Sequence, residues 1–257
     1  MSRKLGAVLA ASLLFSTIAN AALINLSPFL VIQYELFDQP DANWVLSNGN
    51  TIATQTVNAD ASILLSNFDI TNKTINGTWR VQTSSDDDFM GFVFGYQGRG
   101  KYYLFDWKQS DQNDPLGFAQ QGMSIKSVNV GGNGDPSGYD LWPTNGSSSV
   151  SLLYHNTIPW EDFKSYSFHL EFHPGQFTME VRDGSAILMS QIVNDSTFKS
   201  GKFGFYNYSQ GAVEYQGFTV DPAPPIPEPA TLALVSIGIA ALYQSRRKAV
   251  QATNYLT

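Results

Sequence analysis

The chain has 257 residues, with 22 acidic side chains against 15 basic ones, a net charge of −7 and no cysteine. That balance excludes nucleic-acid binding, which needs Lys and Arg to displace counterions from phosphate, and it suits divalent cations or plain solubility. Without disulfides, a folded domain of this chain must rest on its hydrophobic core, or on that core and a metal.

The N-terminus reads Met1-Ser2-Arg3-Lys4, then an apolar run from Leu5 to Ile18, then Ala19-Asn20-Ala21. A positive segment, a short apolar segment and a small-x-small site predict a secretory signal peptide over 1–21, cleaved after Ala21. The run is too short for a membrane anchor. Residues 22–220 fit one domain. Taken with the linker that follows, this core keeps ten basic and twenty-one acidic residues, a net charge of −11.

The core reads as a series of short strands. Ser62–Phe68 is apolar, and Thr74–Ser84 carries Trp79 and Val81 in alternation. Phe89–Gln97, the tight turn Gly98-Arg99-Gly100 and the aromatic run Lys101–Gln109 predict a hairpin. Tyr166–Phe172 alternates, turns at Pro174-Gly175 and continues as Phe177–Arg182; Lys202–Tyr208 and Val213–Val220 are expected to make a final pair. Gly and Asn clusters such as Val130-Gly131-Gly132-Asn133-Gly134 separate the runs. No helical period appears inside the core, apart from a short turn at Trp160–Tyr166. The fold class is therefore all-β, an antiparallel sandwich or jelly roll.

At the C-terminus, Asp221-Pro222-Ala223-Pro224-Pro225-Ile226 predicts a stiff linker over 221–226 that cannot continue a sheet. Pro227-Glu228-Pro229 follows, then an apolar run from Ala230 to Tyr243 and the basic cluster Arg246-Arg247-Lys248. The run falls short of the roughly 20 residues that span a bilayer, and its flanking charges resist translocation. A short apolar helix is thus expected at each terminus, the second a transient inner-membrane stop. The order of these parts over 227–257 resembles the PEP-CTERM sorting signal. The resemblance implies processing by an exosortase in a Gram-negative, exopolysaccharide-making bacterium, and a place in the cell envelope, on the outer surface or in the extracellular matrix.

Among residues able to carry chemistry, Asp86-Asp87-Asp88 stands out. Three adjacent carboxylates repel one another unless they are solvated or neutralised, and calcium takes six to eight oxygen ligands. On a strand edge Asp86 and Asp88 would point the same way and share an ion, with Asp87 facing another ion or solvent. A solvated acidic loop is the alternative, and Asp111, Asn113 and Asp114 fit that description. The five tryptophans could stack on sugars, but core packing explains them more simply. His155, His169 and His173 show no zinc spacing, and no G-x-S-x-G elbow is present. Carboxylate pairs of the glycosidase kind stay open, but the chain is not read as an enzyme.

From about Asp41 to Val220 the chain resembles the thrombospondin C-terminal domain. The match runs through Asp41-Ala42-Asn43-Trp44-Val45 and the segment from Ala53 to Asp60. Its strongest block extends from Asp86 to Gln97, followed by Tyr102-Tyr103 and Trp107-Lys108-Gln109. Later matches include Leu141-Trp142, Trp160-Glu161-Asp162, and Lys202-Phe203-Gly204-Phe205 with Tyr208-Ser209-Gln210. The resemblance implies a lectin-like β-sandwich that binds calcium and serves adhesion, with Asn58 and Asp60 as further ligands. The family's calcium repeats and terminal cysteines are absent from this sequence. Its valine-valine-methionine receptor segment is replaced by Leu104-Phe105-Asp106, so animal receptors are not carried over. The expected function is a calcium-binding adhesion or biofilm-matrix protein whose partner is exopolysaccharide or matrix protein. A lectin for exopolysaccharide is the alternative, ahead of a polysaccharide-processing enzyme.

Overall fold

The computed structural model describes residues 22–36, 39–132 and 134–224. The signal peptide with Ala19 and Ala21, the sorting tail with Pro227, Glu228, Pro229, Arg246 and Arg247, and the apolar helix expected at each terminus lie outside these residues. No helix among the described residues is long and apolar enough to cross a membrane.

Two seven-stranded antiparallel sheets form the sandwich. The first orders β1 (Leu30–Gln33), β4 (Ser62–Asp69), β15 (Lys202–Tyr208), β6 (Phe89–Gly98), β7 (Lys101–Lys108), β10 (Gly122–Asn129) and β11 (Val150–His155). The second orders β14 (Ala186–Val193), β13 (Gln176–Asp183), β12 (Ser165–His173), β5 (Lys73–Val81), β16 (Val213–Pro222), β3 (Ile52–Gln55) and β2 (Trp44–Ser47). A small hairpin, β8 (Gln112–Asp114) with β9 (Gly117–Ala119), and one helical turn, α1 (Gly138–Leu141), complete it.

The two sheets read differently because they are buried differently. In β6, Phe89 to Tyr96 are all buried. Phe92 and Phe94 face the second sheet, while Phe89, Val93 and Tyr96 join a second apolar layer with Tyr102, Leu116, Leu141, Trp142 and Tyr208. A sheet covered on both faces gives continuous apolar strands rather than alternation. The second sheet keeps a wet outer face, so β5, β12 and β13 alternate buried and half-buried residues. Between the sheets an aromatic stack holds the core: Phe92 lies 4.5 Å from Phe168 and 4.9 Å from Phe105, and Trp79 lies 5.1 Å from Phe168. Gly77 makes room for this stack, because a Cβ there would come within 2.6 Å of the Phe168 ring. Trp79, Trp107, Trp142 and Trp160 are buried in the core layers as the sequence indicates, and Trp44 is half-buried against them.

The hairpins β6–β7 and β12–β13 form as expected. Two expectations are corrected. The last two strands do not pair: β15 lies between β4 and β6, whereas β16 crosses to the other sheet between β3 and β5. Ser209 and Ala212, both at positive φ, turn the chain between the layers. The sheet also continues past residue 220, with Asp221 opposite Thr74 and Pro222 opposite Lys73. Pro222 is the last strand residue, where the ladder ends and its missing N–H is tolerated.

Candidate metal centre

Asp86, Asp87 and Asp88 lie in the loop just before β6, not on a strand, so strand alternation does not set their directions. Each offers a carboxylate oxygen, and these three atoms lie within 4.8 Å of one another. The loop is pinned from several sides. Asp88 N–H donates to Gln210 Oε1 at 2.9 Å, Trp160 Nε1 donates to the Asp88 carbonyl at 3.3 Å, and Gln109 N–H donates to the Asp87 carbonyl at 3.0 Å.

In the expected pairing of Asp86 with Asp88 on one ion, Asp88 already has a partner of its own. Asp88 turns inward, 5% exposed, and its carboxylate accepts from Lys108 Nζ. Lys108 has no exposed surface; its ammonium also donates to Gln112 Oε1 at 2.8 Å and lies 3.6 Å from Asp87 Oδ1. Phe89 and Trp142 flank it with ring centroids at 5.1 and 5.2 Å. The outward pair is therefore Asp86 and Asp87. Asn58 joins them, its side-chain amide donating to Asp86 and its Oδ1 accepting from Ser209 at 3.4 Å. Asp60 does not join the carboxylate cluster; it is buried, and its Oδ2 accepts from the Leu36 N–H at 3.0 Å.

Burial, and then the charge of Asp88, push the Asp86 carboxyl up to about 6. Burial also raises Asp88, against the opposing pull of Lys108. Three carboxylates around one ammonium leave two negative charges uncompensated. Asp86 opens onto a cavity of about 290 Å³ that Thr56, Asn58, Thr83 and Ser85 also line. The donors are hard oxygens and the missing charge is +2, which fits calcium.

Lys108, Gln112, Thr83 and Ser85 were not singled out from the sequence as site residues. A signal existed for the first: a lysine inside an aromatic strand has to find a buried partner. Asp111 and Asp114 shape their loop instead, accepting from the N–H groups of Gln121 and Leu116.

Fold and site together define a lectin-like antiparallel β-sandwich with an acidic loop at the entry to one sheet. The solved exoplasmic/lumenal domain of VIP36, in its Ca2+/Man3GlcNAc-bound form, superposes with a TM-score of 0.52 at 8% identity, over 81% of this chain and 91% of that one. That likeness is one of fold. Residues 39–221 match the thrombospondin C-terminal region, and the chain belongs to that family. Thrombospondin-3b of Danio rerio is 32% identical over 208 residues, covering 74% of this chain and 22% of that protein. Cartilage oligomeric matrix protein of Homo sapiens is 31% identical over 204 residues, covering 73% and 27%. The chain thus spans 22% and 27% of these relatives' length. Residues 225–248 match the PEP-CTERM protein-sorting motif, which implies export to the cell envelope or surface and processing by an exosortase-type system.

Proposed function

We propose that the protein is an exported, calcium-stabilised adhesion or matrix module rather than an enzyme, and that it holds exopolysaccharide or matrix protein at the cell surface. In this reading residues 1–21 are the signal peptide, 22–220 the functional domain, 221–226 the linker and 227–257 the sorting and transient anchor segment. The observation that carries it is the two-charge deficit at Asp86-Asp87-Asp88 beside an oxygen-lined cavity. Asp86 and Asp87, with Asn58 and the hydroxyls of Thr83 and Ser85, would hold the ion. Calcium supplies the positive charge that Lys108 leaves missing, and the loop it fixes leads straight into β6.

His155 Nδ1 meets Ser124 Oγ at 3.2 Å, and among the described residues its Nε2 has no hydrogen-bond partner. His169 meets Asn76 and the Glu171 carboxylate, and His173 meets Asn72. The test is retention of the host's exopolysaccharide, and of host cells, by the immobilised protein in millimolar calcium and in chelator. Retention that chelation removes is expected; equal retention in both would overturn the calcium-linked reading.

A further inference from the structure

We propose that the outer face of the second sheet carries a second site, a groove that binds a neutral, polyhydroxylated saccharide chain laid across the strands. None of its residues belongs to the Asp86–Asp88 cluster, so either reading can fail alone.

Strand register builds the groove. One cross-sheet row is Thr219, Asn76, His169, Glu180 and Ser190; the next is Gln216, Thr78, Ser167, Arg182 and Ile187. The rows cross β16, β5, β12, β13 and β14. At about 4.8 Å per strand, the run is about 19 Å long, enough for a short oligosaccharide. The cavity measures about 620 Å³. Its floor is made of short side chains, Thr78 and Ser167, and of Gly217, which sits at positive φ in the bulge of β16. Its walls are the longer planar groups of His169, Glu180 and Arg182.

Those groups are held before any ligand arrives. His169 Nδ1 meets Asn76 Oδ1 at 2.7 Å, and its Nε2 meets Glu171 Oε1 at 3.1 Å. Arg182 Nε donates to Glu180. Preorganisation of this kind lowers the ordering cost of binding.

Charge selects the ligand class. Within the groove Arg182 and Glu180 cancel, Glu171 beside His169 adds a negative charge, and the core as a whole carries −11. An anionic polymer meets overall repulsion, and a cationic one finds stronger acidic surface elsewhere. A hydroxyl both donates and accepts, which matches guanidinium donors beside carboxylate and amide acceptors. Ile187 and Ile192, 54% and 65% exposed on the same face of β14, give an apolar rim for the C–H faces of a sugar ring.

The test is a titration of the ¹⁵N-labelled protein with cello-, manno- and xylohexaose, and with an alginate hexamer as the acidic counterpart, in calcium and in chelator. A neutral hexamer should move amide resonances of β5, β12 and β13 in both buffers. His169→Ala and Glu180→Gln should each weaken binding about tenfold, the loss of one hydrogen bond to the sugar. Ser190→Trp, which fills the groove and spares the paired groups, should weaken it as well. The proposal is overturned if no neutral hexamer moves those resonances, if only alginate does, or if the shifts map to the Asp86 side of the molecule.

Discussion

Lys108 ends β7 with its ammonium fully buried among Asp87, Asp88 and Gln112. Removing one partner of such a pair strands the other charge in a poorly solvated place, and typically costs about 3–5 kcal/mol. Lys108→Met should lower stability in chelator by that amount, read by urea unfolding; a change under about 1 kcal/mol would mean that Asp88 is solvated, as surface pairs are. Asp86 makes a prediction of its own. Its carboxyl titrates at about 6 in the fold against an ordinary 3.8. The folded state therefore holds the proton more tightly than the unfolded one. Its stability contribution is fully present below the ordinary value and is lost as pH rises from about 4 to about 6. In chelator, wild-type stability should fall across that window relative to Asp86→Asn. Parallel profiles would show that the carboxyl is unperturbed.

At the scale of elements, what the sequence discloses depends on how each strand is buried. The hairpins β6–β7 and β12–β13 were legible because aromatic runs are punctuated by Gly98-Arg99-Gly100 and Pro174-Gly175. The edge strands β1, β2 and β14 were not read. Leu30, Val45, Ile187 and Ile192 are apolar yet exposed there, so no alternation marks a core face. The partners of β15 and β16 were also hidden, because the turn between them changes sheet, and chain order does not show that. The candidate site was legible in its acids and not in its geometry: three consecutive Asp announce charge, but only the fold shows Asp88 committed to Lys108 and Asp60 to Leu36. The sorting segment follows the last strand in sequence, and that strand ends at Pro222. Deleting 227–248 should leave a processed, β-rich, soluble domain and abolish sorting. Fractionation that places the truncated and full-length proteins alike would remove the sorting role.

The chain has no cysteine, the described sandwich is held by aromatic packing, and many of its buried rings are phenols. Burial raises Tyr102 and Tyr206 well above the ordinary value of 10, and raises Tyr34, Tyr103, Tyr208 and Tyr215 in the same direction. The unfolded chain therefore loses these protons first, and stability present below pH 10 drains away above it. Phenolate absorbance should appear together with loss of β circular dichroism; phenolate formation in an intact fold would contradict the burial. In the proposed function, calcium completes the charge balance at Asp86-Asp87-Asp88. Calorimetric titration of calcium into the metal-stripped protein, beside an Asp86→Asn, Asp87→Asn variant, addresses it directly. Saturable binding is expected in the range of about 10⁻⁴ to 10⁻³ M typical of extracellular sites, with poor substitution by magnesium and loss of the heat in the variant. Wild-type protein that takes up no calcium, or a variant that takes it up equally well, would contradict the claim.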